Sequence, residues 1–265
     1  MNIVITGSTK GIGLGMAREF LKRDHNVGIS SRRPDAVDQV VAELQATAPD
    51  RRVVGCACDV TDYGQVETLW NKTIESLGSV DIWINNAGRD AAKVPFYMLP
   101  HKEIFDTVNT NMVGMMYCNH VAIQRMYKQG HGTIFNMEGF GSNGQLRSGV
   151  SVYGSTKYGL RYFTDSMALE LKGSMVKMCY LSPGIVITDM LIPPPERRGR
   201  GWQEAKKILN LLADTVETVT PYLVEGILNV QKSGEAVRWL TPKRIRQRKL
   251  ESLFKKRDVF TPLGL

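Results

Sequence analysis

The 265 residues are 43% hydrophobic, enough for an ordinary buried core, and the longest apolar runs fall far short of the ~20 residues that span a bilayer. The formal net charge of +8 raises the question of nucleic acid, but no helix-turn-helix, RNA-binding aromatic motif or zinc-finger spacing accompanies it. Most of the excess charge sits in one tail, so nucleic acid is set aside as a partner.

In chain order, Asn2-Ile3-Val4-Ile5-Thr6 reads as a short buried strand, which leaves no room for a signal peptide before it. It runs into Gly7-Ser8-Thr9-Lys10-Gly11-Ile12-Gly13 and then the helical pattern Leu14 to Leu21. Strand, glycine turn and helix in that order point to dinucleotide binding: the glycines admit a pyrophosphate, and the helix start offers free N–H groups and a positive dipole end. The spacing is Gly-x-x-x-Gly-x-Gly. Further apolar strands are expected near residues 26–31, 52–58, 80–85, 132–137, 175–181 and 236–240, alternating with helices, which argues a parallel sheet covered on both faces. No linker divides the chain, so one domain is expected over 1–242, followed by a basic tail over 243–265. Cys56, Cys58, Cys118 and Cys179 lie in apolar surroundings, and Cys56-x-Cys58 lacks a second ligand pair. They read as buried thiols of a reducing compartment, cytoplasmic or other, with no metal site.

Tyr153 and Lys157 stand four residues apart, so on a helix they share a face. A close ammonium favours an ionised phenol, and the expectation is that Lys157 lowers the pKa of Tyr153 and fits it for proton transfer to a carbonyl or alcohol oxygen.

Together these segments resemble the short-chain dehydrogenase/reductases over almost the whole chain. Thr6-Gly7-x-x-x-Gly11-x-Gly13, Asp59-Val60, Asn85-Asn86-Ala87-Gly88, Asn111, Tyr153-x-x-x-Lys157 and Pro183-Gly184-Ile185-Val186-Ile187-Thr188 match the family's motifs in order and spacing. The resemblance implies an α/β fold: a Rossmann-type, doubly wound, parallel seven-stranded sheet with helices on both faces, in three α/β/α layers. It implies Tyr153 and Lys157 as the catalytic pair and Asn111 as holder of a water in the proton relay. The cofactor would lie on Gly7, Ser8, Thr9, Lys10, Gly11, Ile12 and Gly13, with Asp59 and Val60 at the adenine. Asn86, Ala87 and Gly88 would line it further along, Tyr153 and Lys157 would touch it, and Pro183, Gly184, Val186 and Thr188 would meet the nicotinamide. A homodimer or homotetramer built on the helices of Asn111 and Tyr153 is also implied.

Cofactor choice follows from charge. An acid after the second strand suits ribose hydroxyls, whereas a 2′-phosphate needs cations there. Ser30-Ser31-Arg32-Arg33 carries none of the former, so NADPH is expected, with Arg32 and Lys10 on the phosphate and Ser31 assisting; the alternative is that Arg33 and Lys10 face solvent.

One departure stands out. Aligned on Asn136, the family's catalytic Ser falls on Gly139 and the preceding Ser on Glu138. Ser142 is the candidate replacement, and Glu138 belongs either to substrate orientation or to a structural network.

Segments around Asn85, Asn136 to Ser142, Tyr153 to Arg161 and Leu240-Thr241-Pro242 look like chlorophyll b reductases. That implies NADPH-dependent reduction of a small-molecule carbonyl, the formyl of chlorophyll b; a general carbonyl or 3-oxoacyl reductase and an inert NADPH-binding scaffold remain open. Met190 to Pro195, then Arg197, Arg198, Arg200 and Trp202, with Gly199 and Gly201 as hinges, read as a substrate lid or as an exposed loop. The tail from Lys243 carries eight cations against Glu251 and Asp258, with Leu250, Leu253 and Phe254 expected on one helix face. It reads as a peripheral membrane or partner contact, or as solvated charge.

Overall fold

β-branched and apolar residues dominate Asn2–Ile5, and every residue of that segment is buried, which fixes it as the centre of a sheet. The computed structural model describes residues 1–195 and 198–264. Among them the strands are β1 (Asn2–Ile5), β2 (Asn26–Ser31), β3 (Val53–Ala57), β4 (Ile82–Asn85), β5 (Gly132–Met137), β6 (Val176–Ser182), β7 (Ile185–Val186), β8 (Ala213–Asp214) and β9 (Ala236–Arg238). Seven pair in parallel in the order β3-β2-β1-β4-β5-β6-β9, the doubly wound sheet expected. The order reverses between β1 and β4, which places a crevice at the carboxyl ends of those two strands.

The helices are α1 (Gly11–Leu21), α2 (Pro34–Thr47), α3 (Tyr63–Leu77), α4 (His101–Val108), α5 (Met115–Gln129), α6 (Ser151–Glu170), α7 (Arg200–Leu212), α8 (Val216–Leu228) and α9 (Pro242–Glu251). Strand periodicity divides the interior into two layers. Ile3 and Ile5, Ile82 and Ile84, and Phe135 and Met137 face a core closed by Met16 and Phe20 of α1 and Val219 and Leu223 of α8. Val4, Trp83 and Ile134 face the opposite core, with Trp70 of α3 and Val121 and Met126 of α5. α1 and α8 pack closely because a Cβ at Gly15 would stand only 2.3 Å from Val216 Cγ1.

A third, smaller cluster joins distant segments: Ile187 after β7, Trp202 of α7, Ala213 of β8 and Phe260 near the C-terminus. The two-residue pair β7–β8 frames it. The tail is folded onto this cluster. Thr241 Oγ1 caps α9 by accepting from Arg244 N at 3.2 Å. Arg248 donates to buried Asp214 at 2.7 Å, Arg257 donates to the other Asp214 oxygen, and Arg244 stacks 3.5 Å above the Trp239 ring centroid. Three tail cations are therefore turned inward. α9 ends at Glu251, so Leu253 and Phe254 lie in turns beyond it and do not share its face with Leu250 as expected.

Candidate active site

The glycine turn is built to bring β1 and β4 together. Thr6 Oγ1 accepts the N–H groups of Asn86 and Ala87 at 3.1 Å each, and Asn86 Nδ2 donates to the carbonyls of Thr6 at 2.9 Å and Gly7 at 2.8 Å. Gly7 has φ +63°, and a Cβ there would stand 2.8 Å from Ala87 Cα, so both conformation and space require glycine. Ser8 is buried, donating to Ile5 O and accepting from Ser30 N. Its side chain holds the turn. Across the crevice, a Cβ on Gly11 would meet Thr188 Cγ2 at 3.4 Å, so the turn and the Pro183 to Thr188 segment face each other. α1 starts at Gly11 with no side-chain cap and no acid in its first turn. Those free N–H groups and the positive helix end fit a dinucleotide pyrophosphate. Val186 and Pro183 are buried behind the crevice.

At the far end of the crevice, Ser31 ends β2 and its hydroxyl donates to Arg33 O at 3.4 Å. Arg32 is exposed and has no ion pair among the described residues. Lys10 reaches over the mouth to Asp189 at 2.9 Å, with both side chains largely exposed. Such a pair is weak in water and open to competition by a phosphate. Asp59 Oδ1 accepts from Thr61 N and Oγ1, and Val60 is buried against Gly114.

The catalytic candidates converge from three elements. Lys157 of α6 is buried and donates from Nζ to Met137 O, at the end of β5, at 2.9 Å. Burial lowers its pKa to about 8, against the opposing field of Glu138. Asn111 lies in a π-helical segment, Asn109–Gly114, between α4 and α5. Its amide accepts from Arg89 N at 2.9 Å and donates to Arg89 O at 2.9 Å and Thr156 Oγ1 at 3.1 Å. π segments interrupt the helical ladder and recur at functional sites. Gly88 sits between the two: a Cβ on it would be 3.3 Å from Asn111 Oδ1 and 4.0 Å from Lys157 Nζ.

Tyr153 corrects one expectation. Its phenol is not made more acidic. Burial pushes its pKa up and nearby Asp90 adds to the shift, while the Lys157 ammonium lies 5.8 Å from the ring centroid, occupied by the Met137 carbonyl. The phenol is therefore a neutral O–H that can donate a hydrogen bond. It rests on Gly139: a Cβ there would lie 2.3 Å from Tyr153 Oη and 3.1 Å from Cζ. The space for a side chain at the family's Ser position is taken by the phenol itself.

Ser142 is buried, and its Oγ accepts the Gly139 N–H at 3.0 Å. A hydroxyl has two lone pairs and one O–H, so this bond uses one acceptor site and fixes the loop under the phenol. Glu138 is buried with Arg161 at 3.7 Å and Arg238 at 3.6 Å, inside a structural charge network. Met190 is exposed, Leu191 and Ile192 pack on the Trp202 cluster, and Arg198 Nε donates to Pro193 O at 2.9 Å. Arg197 and the Arg200 side chain lie outside the described residues. Asp90 and Asp214 had no sequence signal: no motif includes either acid, and Asp214 becomes visible only through the arginines that fold back on it.

A doubly wound sheet with an uncapped glycine turn at its switch point, facing a Tyr–Lys pair, defines a dinucleotide-dependent oxidoreductase. The chain belongs to the short-chain dehydrogenase family, whose model matches residues 1–198. It is 39% identical over 260 residues to a probable chloroplastic chlorophyll(ide) b reductase of Oryza sativa subsp. japonica, covering 92% of this chain and 50% of that one. The chain thus spans about half the length of that relative. A chloroplastic chlorophyll(ide) b reductase of Arabidopsis thaliana is 39% identical over 249 residues, covering 91% of this chain and 70% of that one. Among solved structures, an actinorhodin polyketide ketoreductase with NADPH superposes with a TM-score of 0.77 at 25% identity, covering 89% of this chain and 94% of that one.

Proposed function

We propose that the protein reduces a carbonyl with NADPH, and that its substrate is the formyl group of chlorophyll b or a related tetrapyrrole, converted to hydroxymethyl. The single observation that carries the reduction is the position of the Tyr153 phenol, seated over Gly139 with the Lys157 ammonium 5.8 Å from its ring centroid. When bound, the dinucleotide supplies hydride to the carbonyl carbon. Tyr153 hydrogen-bonds the carbonyl oxygen and gives it the proton, so the C=O π bond is replaced by C–H and O–H. Lys157, charged below about pH 8 and held by the Met137 carbonyl, stands beside the phenol, and the Asn111 segment lies next to it for reprotonation through water. Exposed Arg32 and the absence of an acid between Ser31, at the end of β2, and Asp35 support a 2′-phosphate. The likeness to two chlorophyll(ide) b reductases supports the formyl substrate.

Two assembly properties go with this reading. Phe105, Tyr158 and Tyr162 are exposed on α4 and α6, which supports a homodimer or homotetramer through those helices. Lys243, Arg246, Lys249, Lys255 and Lys256 remain outward beside exposed Leu250, Leu253 and Phe254, which supports docking on an anionic membrane surface. No described helix is long and apolar enough to cross a membrane. Four free, buried cysteines suit a reducing compartment.

The test is incubation with NADPH and pheophorbide b, followed by mass spectrometry. A product with two added hydrogens at the formyl position supports the reading. Turnover of simple aldehydes alone would replace it with a general carbonyl reductase, and no turnover of any carbonyl would leave an inert NADPH-binding protein.

A further inference from the structure

The loop after β5 holds one side chain out of the protein beside the phenol. Gly139 has the Tyr153 hydroxyl against its α-carbon, and a Cβ on Gly141, at φ +97°, would stand 2.7 Å from Gly154 Cα of α6. Both flanking residues are thus pressed flat on α6 at the Tyr153 turn. Phe140, between them, projects outward and is 37% exposed. The loop is fixed by its own bonds, Ser142 N to Gly139 O at 3.1 Å, Gly144 N to Gly141 O at 2.9 Å and Gly139 N to Ser142 Oγ at 3.0 Å. Arg147 lies with its guanidinium carbon 5.5 Å from the Phe140 ring centroid, exposed and without an ion pair among the described residues.

An exposed aromatic ring and an unpaired guanidinium beside it therefore stand on the loop that seats the phenol. The acids Asp90, Glu103, Asp106 and Glu138 each pair with another cation: Asp90 with Lys93 at 3.5 Å, Glu103 and Asp106 with Arg89 at 2.8 and 2.7 Å, and Glu138 with Arg161 and Arg238. Arg147 keeps its charge unspent. A guanidinium stacked on a ring keeps its N–H edge free for a carboxylate.

We propose that Phe140 and Arg147 form a substrate-recognition platform for a rigid planar molecule that carries a carboxylate remote from its reducible carbonyl, the plane packing on Phe140 and the carboxylate pairing with Arg147. The proposal rests on the tetrapyrrole reading above and sharpens it: the free acid is the preferred form and the ester is not.

The test separates binding from turnover. Fluorescence titrations use pheophorbide a, which has a methyl where the b form has the formyl, and its methyl ester, each with the NADPH-loaded protein. The acid should bind about tenfold more tightly, as a charge-assisted bidentate pair on a partly open surface provides. Arg147→Gln should close that ratio to about one by weakening the acid, and Arg147→Lys should restore part of it. Phe140→Ala should weaken acid and ester alike. Both side chains are exposed, and melting curves confirm that the variants are folded. Equal wild-type binding of acid and ester, or a ratio that survives Arg147→Gln, overturns the platform. Reduction of pheophorbide b is followed in parallel. Reduction without acid preference removes the platform and leaves the tetrapyrrole reading standing, whereas acid preference without reduction does the reverse.

Discussion

Adding one carbon to Gly139 should disable the site. Gly139 has no positive φ, so its backbone accepts an L side chain and the whole effect is steric. The new Cβ would lie 2.3 Å from Tyr153 Oη, 3.1 Å from its Cζ and 3.2 Å from Lys157 Cε, where ordinary contact begins at 3.4 Å. Relieving the closest contact moves the phenol by roughly 1 Å, and a misplacement of that size costs about 100-fold in rate. Gly139→Ala and Gly139→Ser should therefore each lose about 3 kcal/mol of transition-state stabilisation, with unchanged melting temperature. The assay is kcat/KM for NADPH-dependent reduction of an aromatic aldehyde. The serine variant is the sharper case because it supplies the hydroxyl that the family resemblance leads one to expect there. Activity at or above wild type in Gly139→Ser would show that a missing hydroxyl limits the enzyme, and that the phenol does not need this seat.

Three further outcomes follow from burial and charge. Burial lowers Lys157 to about 8 from an unfolded 10.5, so between those values the unfolded chain binds more protons and stability rises with pH. Lys157→Met should lack that rise and exceed wild type at pH 7 by up to ~3 kcal/mol, an advantage that urea unfolding should show fading toward pH 10.5. Asp214→Asn removes the buried partner of Arg248 and Arg257, and should cost about 3 kcal/mol in urea unfolding while exposing the segment after α9 to protease. Arg32→Glu should raise KM for NADPH about tenfold or more and leave NADH little affected, measured by steady-state kinetics with either cofactor.

Much of the fold was legible because its strands are covered on both faces and so appear as unbroken apolar runs, as in Ile82-Trp83-Ile84. β7 and β8, two residues each, were not: the packing of Trp202 and Phe260 and the two arginines on Asp214 hold them, and those residues are far apart in sequence. The tail was legible as charge but not as architecture. Arg244, Arg248 and Arg257 look like their neighbours until Trp239 and Asp214 are placed beneath them. At the site, spacing brought Tyr153 and Lys157 to one helix face, as expected. The direction of the tyrosine's shift was misread because helix spacing carries no information about burial, and the Met137 carbonyl that takes the Lys157 ammonium lies on another element. Gly139 was legible as a missing hydroxyl. That the phenol fills its place could be seen only in three dimensions.

The most direct measurement is single-turnover NADPH oxidation with pheophorbide b, or with an aromatic aldehyde if the tetrapyrrole is refused, comparing wild type with Tyr153→Phe. Removing the one oxygen that donates the proton, with the ring otherwise kept, should slow the chemical step about 10²- to 10⁴-fold while leaving NADPH affinity intact. A variant that turns over at the wild-type rate would mean that the proton comes from elsewhere, and that the phenol over Gly139 is packing rather than chemistry.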